Sequence, residues 1–399
     1  MNQRFGKART TSRRASRLGR SPALAGLVIA GAVLAAAGCS SSSSSSQAST
    51  TGSDQGTTTG SSLSQLAAAG LSVSQMVAGA KKEGSLSLYY ADTGTPAILK
   101  AFEKQYPFIH VTPYMAQGSD LLTHLKADYQ SGSGYPDVIV ETDIEQGLAQ
   151  EAGYLQPYKV PSAAAYSGIY VKQTSGGLDE FVSQENSPLG FAWNTKLLPA
   201  SEVPTTLNGL LASDLKGKLA ISGHSTGIDW IGEVLHGSGG SDFLSAFSKN
   251  GVHVEDVSGA ALSGLVATGA VVASPTIGVT DVIQQAAKGA PIGFRFLTGD
   301  PSDATINAIG IGSKAPDPYA ALLYTNFALS MAGQSTDSTV GWFSALQGAP
   351  EPDTNSAGIA NWTQTLSKVD LVDPGHLWTP DQYETQYTQW QQMIENFGK

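Results

Sequence analysis

Between Ser85 and Ala152 strand-like and helix-like segments alternate with links of only a few residues, and this rhythm limits the fold more than any other feature. Ser85-Leu86-Ser87-Leu88-Tyr89-Tyr90 alternates with the period of a strand, while Ile98, Leu99, Phe102 and Tyr106 recur at helical spacing over Gly94 to Tyr106, where Pro107 stops the helix. Phe108 to Tyr114 predicts a second strand, Ser119 to Gln130 a second helix, Pro136 to Val140 a buried strand and Asp143 to Ala152 a third helix. Such alternation demands a parallel sheet covered by helices. Upstream, Leu63 to Glu83 reads as helix, with Gly84 as its C-cap.

The rhythm restarts later. Lys218 to Ser222, Ala270 to Ala273 and Ile292 to Leu297 read as strands; Asp229 to Leu235, Asp242 to Lys249, Ala261 to Thr268 and Thr280 to Lys288 read as helices. Leu189 to Asn194 and Ala304 to Ile311 look like strands that cross between the two runs. Helices at Tyr319 to Met331 and Asp381 to Phe397 are expected to complete the first lobe. The division expected is therefore 63–193 for the first part of lobe 1, 194–297 for lobe 2 and 298–399 for the second part of lobe 1.

Ahead of these lies an export signal. Residues 1–20 hold six Arg, one Lys and no acid, and residues 23–38 are uncharged and end in Ala36-Ala37-Gly38-Cys39. A basic region, an apolar run and small residues before a cleavage point define such a signal. The run is shorter than the roughly 20 residues a spanning helix needs. Its ending resembles the lipobox of bacterial lipoproteins, with Ala36 where Leu is commoner; the resemblance implies cleavage after residue 38 and lipidation of Cys39. Arg13-Arg14 leaves twin-arginine export open beside the general route, and an uncleaved one-pass anchor is the alternative. Residues 39–62, dominated by Ser, Thr and Gly, cannot bury enough apolar area to offset their ordering entropy and read as a disordered tether. Loss of residues 1–38 reduces the 23 basic residues to 16 against 33 acidic ones, which argues against nucleic acid. The single cysteine excludes a disulfide framework or a cysteine zinc site.

Several pieces, in order, resemble the extracellular solute-binding proteins of ABC transporters, in the branch that includes binders of ferric iron, polyamines, thiamine and phosphonates. They are Ala80-Lys81-Lys82-Glu83-Gly84-Ser85-Leu86, Ile98 to Pro107, Tyr135-Pro136-Asp137-Val138, Leu215 to Ile221, and Lys314-Ala315-Pro316-Asp317-Pro318 with Ala320-Ala321. The resemblance covers about residues 78–335. It implies an α/β fold of the type II periplasmic-binding-protein kind: two lobes, each a central sheet flanked by helices, with a ligand cleft between them. It also implies a small organic solute and ABC permease subunits as partners. A monomer with no cofactor is expected, held at the extracellular face of the membrane by the lipid on Cys39.

Ligands of open parallel sheets bind beyond the carboxyl ends of the strands. That rule selects Tyr90, Asp92, Thr93 and Thr95; Gly118 and Ser119; Glu141 and Thr142; His224, Ser225 and Thr226; and Ser274 and Thr276, with Trp193 and Asn194 at the crossing. Asp92, Asp120, Glu141 and Asp143 either face a cation or cap the helices that follow. Helix N-termini favour an anion. Arg295, the only arginine after Arg20, is a candidate carboxylate or phosphonate anchor, its alternative being an ion pair with an acidic side chain. The balance tips slightly to an anionic or zwitterionic organic solute over a polyamine-like cation. No tyrosine pair accompanies Ser274-Pro275-Thr276, the place where ferric-iron relatives are expected to carry one, so iron is disfavoured. A second reading is a secreted lipoprotein hydrolase: Gly223-His224-Ser225-Thr226-Gly227 fits G-x-S-x-G between a strand and a helix, with Asp353 or Asp373 and His376 downstream.

Overall fold

The computed structural model describes residues 63–116, 119–354, 359, 371–372 and 377–397. Two helices, α1 (Leu63–Ala68) and α2 (Val73–Glu83), stand where one was expected, because Gly70 at φ 61° turns the chain between them. Ser72 then opens α2 with a capping box to Gln75, and Gly84 closes it in the left-handed conformation. The expected alternation follows as β1 (Ser85–Tyr90), α3 (Thr95–Gln105), β2 (His110–Met115), α4 (Ser119–Ser131), β3 (Val138–Thr142) and α5 (Asp143–Glu151).

Strands β4 (Val171–Gln173) and β5 (Asp179–Asn186) come next and were not expected; β6 (Leu189–Asn194) was. The second run comprises β7 (Ala220–Ser222), α6 (Ser225–His236), α7 (Gly240–Lys249), β8 (His253–Glu255), α8 (Gly259–Thr268), β9 (Ala273–Gly278), α9 (Val279–Ala287) and β10 (Ile292–Arg295). The return passes through β11 (Ser302–Asp303) and β12 (Ile306–Ile311) to α10 (Pro318–Ala328) and α11 (Met331–Ser338), with β13 (Leu371–Val372) and α12 (Pro380–Ile394) last.

Two sheets result. The first is six-stranded in the order β2-β1-β3-β12-β5-β4, with β1, β2 and β3 parallel and β12 antiparallel to both β3 and β5. The second has the order β10-β6-β9, and an isolated parallel bridge between Leu219 and Ala273 joins the β7–β8 pair to it. The chain crosses between sheets at Ser187–Pro188, immediately after β5, and returns ahead of β12.

Each sheet buries both faces. In the first, Ile98, Phe102, Tyr324 and Phe327 pack under α3 and α10, while Leu121, Leu125 and Ile139 pack under α4 and α5. In the second, Trp230, Phe247 and Ile221 fill one side, and Leu262, Val282 and Phe294 the other. The C-terminal helix, expected on the first lobe, lies instead on α6. Tyr383, Tyr387, Trp390 and Ile394 form one stripe of α12 that joins the Trp230 cluster. The Trp390 ring lies directly over Gly232, where any side chain would collide with it.

Candidate functional site

Strand direction places the site. In the first sheet β1, β3 and β5 all end at one edge, where β12 begins. In the second, β7 and β9 end at the edge where β6 begins. β5 runs into β6 across two residues, so these two edges flank the hinge. Both sheets therefore turn their carboxyl ends toward the same gap, the position where open α/β sheets bind ligands.

On the first lobe, Asp92 is buried, its Oδ1 accepting the Thr95 N–H at 2.5 Å and its Oδ2 the Thr95 hydroxyl at 2.8 Å. The capping reading thus describes Asp92. Thr95 also accepts Gln184 Nε2 at 2.9 Å and is wholly buried. Thr93 alone of this loop presents its hydroxyl outward. It accepts Gln284 Nε2 from α9 of the second lobe and Trp342 Nε1, each at 3.3 Å, and so forms a clasp across the gap. Tyr90 is half-buried against the first core. Glu141 accepts the N–H of Thr142 at 3.0 Å, and Thr142 makes no capping bond to α5. Gly118, Cys39, Asp373 and His376 lie outside the described residues, as does the side chain of Ser119.

On the second lobe, His224 and Ser225 are exposed at the start of α6, with His224 Nε2 3.0 Å from Asp256 Oδ1. Thr226 Oγ1 is buried against Gly259 without a hydrogen-bond partner. Ser274 and Thr276 do not line the gap. β9 runs on to Gly278, and the two hydroxyls lie 3.1 Å apart in the core, Thr276 Oγ1 accepting the Ser222 N–H. Pro275 falls at the register shift against β6, where a missing N–H does no harm. The helix terminus that reaches the gap is therefore Val279–Thr280, where the helix was expected to begin, and the expected lining loop Ser274-Pro275-Thr276 is part of the strand before it.

Trp193 and Asn194 are also displaced from the role expected. The crossing precedes β6, and β6 carries them away from the hinge. Trp193 stacks on Phe191 in the core, and Asn194 Nδ2 donates to the carbonyls of Val266 and Ala267 at the end of α8. Arg295 Nη1 donates to the carbonyls of Val203 and Pro204 at 3.3 and 3.4 Å. Among the described residues, the ion pairs involve histidines only, so Arg295 grips backbone and no acid.

The sequence reading missed a belt of acids around the hinge. Glu185 ends β5, and Asn307 Nδ2 donates to its Oε1 at 3.0 Å. Asp337 ends α11. On the far side, Asp229 of α6 accepts the Tyr383 hydroxyl. Desolvation first, then Asp303 and Glu145, raise the Asp229 carboxyl well above the usual carboxylate range. Burial lifts Glu145 and Asp281 to about 7. One signal was available: Ser183-Gln184-Glu185-Asn186 is a polar run in a strand that proves fully buried, and buried polar strands require specific partners.

This arrangement holds groups in place rather than activating one. In the nucleophile-elbow reading Ser225 would sit in a strained turn, yet the only non-glycine residue with positive φ among those described is Thr305, at 36°. β7 also stands second from an edge of its lobe, whereas the elbow calls for a central strand.

A sequence pattern described as bacterial extracellular solute-binding protein matches residues 97–366. The chain belongs to that family. Solved structures of solute-binding proteins share its fold. The periplasmic binding protein AfuA from Actinobacillus pleuropneumoniae, with exogenous fructose-6-phosphate bound, gives a TM-score of 0.65 at 20% identity over 79% of this chain and 99% of its own. Iron-bound HitA from Pseudomonas aeruginosa gives 0.63 at 15% identity over 79% and 99%. The substrate binding protein of an ABC transporter from Agrobacterium tumefaciens gives 0.63 at 15% over 79% and 97%. No curated protein matches the chain. The expected type II fold of two lobes around a ligand cleft is thus borne out, in an ABC-transporter solute-binding protein.

Proposed function

We propose that this solute-binding protein captures a small organic molecule rich in amino or hydroxyl hydrogens between its lobes and delivers it to an ABC permease. The observation that supports the solute class is the acceptor chemistry at the gap: Glu145 of α5 and Asp229 of α6, one from each lobe, are only half-buried and Glu145 acts on Asp229, whereas Asp92, Glu185 and Asp337 are buried. Acceptors in such excess favour a ligand that brings donors. The sequence-based lean toward an anion rested on helix N-termini and on Arg295, and the Arg295 guanidinium is engaged by two backbone carbonyls. Solute that touches both lobes binds the closed state more tightly and shifts the open–closed equilibrium toward it.

A thermal-shift panel of amines, polyols, organic acids, phosphonates and metal ions tests the solute class. A true ligand at 100 times its Kd adds ~2.7 kcal/mol of stability. A rise with amines or polyols is expected; a rise confined to anions overturns the donor-rich class. The tether belongs to the same proposal. Cys39→Ala should release the protein from the membrane fraction to the medium with its solute affinity intact, and continued membrane retention would point to an uncleaved anchor.

A further inference from the structure

Three carboxyls meet beneath the Thr93 clasp with no counter-charge among the described residues. Asp92 hangs from the β1–α3 loop, Glu185 from the hinge end of β5 and Asp337 from the last turn of α11, and all three are buried. A β-carbon on Gly94 would collide with Glu185 Oε2, with Asp337 Oδ1 and with the Trp342 ring, which shows how closely these groups converge. Asp92 and Glu185 Oε1 have donors, but among the described residues Glu185 Oε2 and both oxygens of Asp337 have none beyond the neighbouring carboxyls themselves. Tyr324 is an independent member: fully buried, its hydroxyl beside Thr95 and within electrostatic reach of all three acids.

The titratable groups that act on this cluster are the three acids, Tyr324, and at its margins Tyr90 beside Asp92 and Tyr166 beside Asp337. Among the described residues, no lysine, arginine or histidine acts on the three carboxyls. Burial raises all three above the usual carboxylate range, and for Glu185 and Asp337 the neighbouring acids raise them further. Among the described residues no group of His, Cys, Asp or Glu is arranged to hold a metal ion. Protons are therefore the donors this cluster calls for.

One short strap joins the cluster to the second lobe. The Asp337 carbonyl accepts the N–H groups of Val340 and Trp342. From that anchor the Val340 carbonyl accepts Gln284 Nε2, and the Gly341 carbonyl accepts the Thr280 hydroxyl at 2.9 Å, both from α9. Phe343 then packs among Ile283 and Phe294 in the second core.

We propose that Asp92, Glu185 and Asp337 form a proton latch for lobe closure. While they share protons, α11 holds residues 339–343 across the hinge; once they are fully ionised, mutual repulsion displaces Asp337 and loosens the strap. Mild acid then favours the closed form. The latch acts on closure itself and requires no particular solute, so its test is independent of the solute class.

The test is hydrogen exchange of the full chain without solute, followed at the amides of residues 340–343 from about pH 5 to about pH 8.5 and corrected for intrinsic exchange. Corrected protection should fall roughly ten-fold or more across that range, as one uncompensated ionisation implies. Glu185→Gln and Asp337→Asn keep the shape and remove the titration, and each should flatten the pH dependence. Thr93→Val removes no titrating group; it should lower protection at every pH and keep the slope. Protection of the wild-type strap that does not vary with pH overturns the latch, as does a slope that survives in Glu185→Gln.

Discussion

Thr93 and Trp193 show what residue type alone can and cannot reveal. Both follow the strand-end rule, yet one is exposed at the gap and the other is core. The difference is direction: β1 ends at the hinge, whereas β6 starts there, so the last residues of β6 lie far from it. Trp193 stacks with Phe191, and its indole covers Gly293. Trp193→Ala should therefore cost ~3–5 kcal/mol of stability, as large core truncations do, and leave solute affinity unchanged once folding is accounted for. Urea titration and the ligand identified by the panel decide it; lost affinity at unaltered stability would return Trp193 to the site. Asp92 stood open between ligand contact and capping, although an acid three residues before a helical threonine is a capping pattern, and its two oxygens are both taken by Thr95. Glu185 was not legible, since a lone carboxylate in a short polar run signals surface until the sheet order is known.

At the scale of elements, alternation was readable wherever a strand and the helix after it were close in sequence. The failures cluster where partners are distant. β5 pairs with β12, more than a hundred residues away, and its polar residues give no strand period. β9 was expected at Ala270 to Ala273 and instead spans Ala273–Gly278, because Ser and Pro suggest a loop whereas the Ser274 and Thr276 hydroxyls satisfy each other inside the sheet. α12 was readable as a helix, and its aromatic stripe announced a buried face; which lobe it covers depends on Gly232, a small residue whose value lies in what it admits. Trp390→Ala should cost ~3–5 kcal/mol through the cavity it leaves beside α6, measured by chemical denaturation. Gly232→Val should be comparably damaging, since its side chain would meet the Trp390 ring. A cost under about 0.5 kcal/mol, the scale of a surface change, in both variants would mean that α12 does not seat on α6.

For the whole molecule, the first two crossings were visible because the strand–helix rhythm stops and restarts, but the third, at residues 339–343, and the electrostatic character of the interior were not. An excess of acids over bases says nothing about which acids are buried, and here many are. Burial lifts Asp137, Glu145, Asp281 and Asp300 to about 7. Asp137 accepts the N–H groups of Ser87 and Asp317, and Asp300 accepts the Trp230 indole N–H, yet in each desolvation outweighs those bonds. The sign follows from proton binding. A carboxyl raised in the folded state holds its proton at pH values where the unfolded chain, near its ordinary value of about 4, has lost it. The folded state then binds more protons, so stability falls as pH rises. The contribution is complete below about pH 4 and is lost progressively up to about pH 7 for these four groups. In the middle of that window each titrating group contributes a slope of up to about 1.4 kcal/mol per pH unit, falling to about half of that at its upper end. Melting temperatures taken from about pH 5 to about pH 8 should therefore decline steadily, the reverse of a protein held by carboxylate ion pairs. Asp281→Asn should reduce that decline by its own share. A melting temperature that rises across this range would show that the buried carboxyls ionise at their ordinary values and that some counter-charge reaches them.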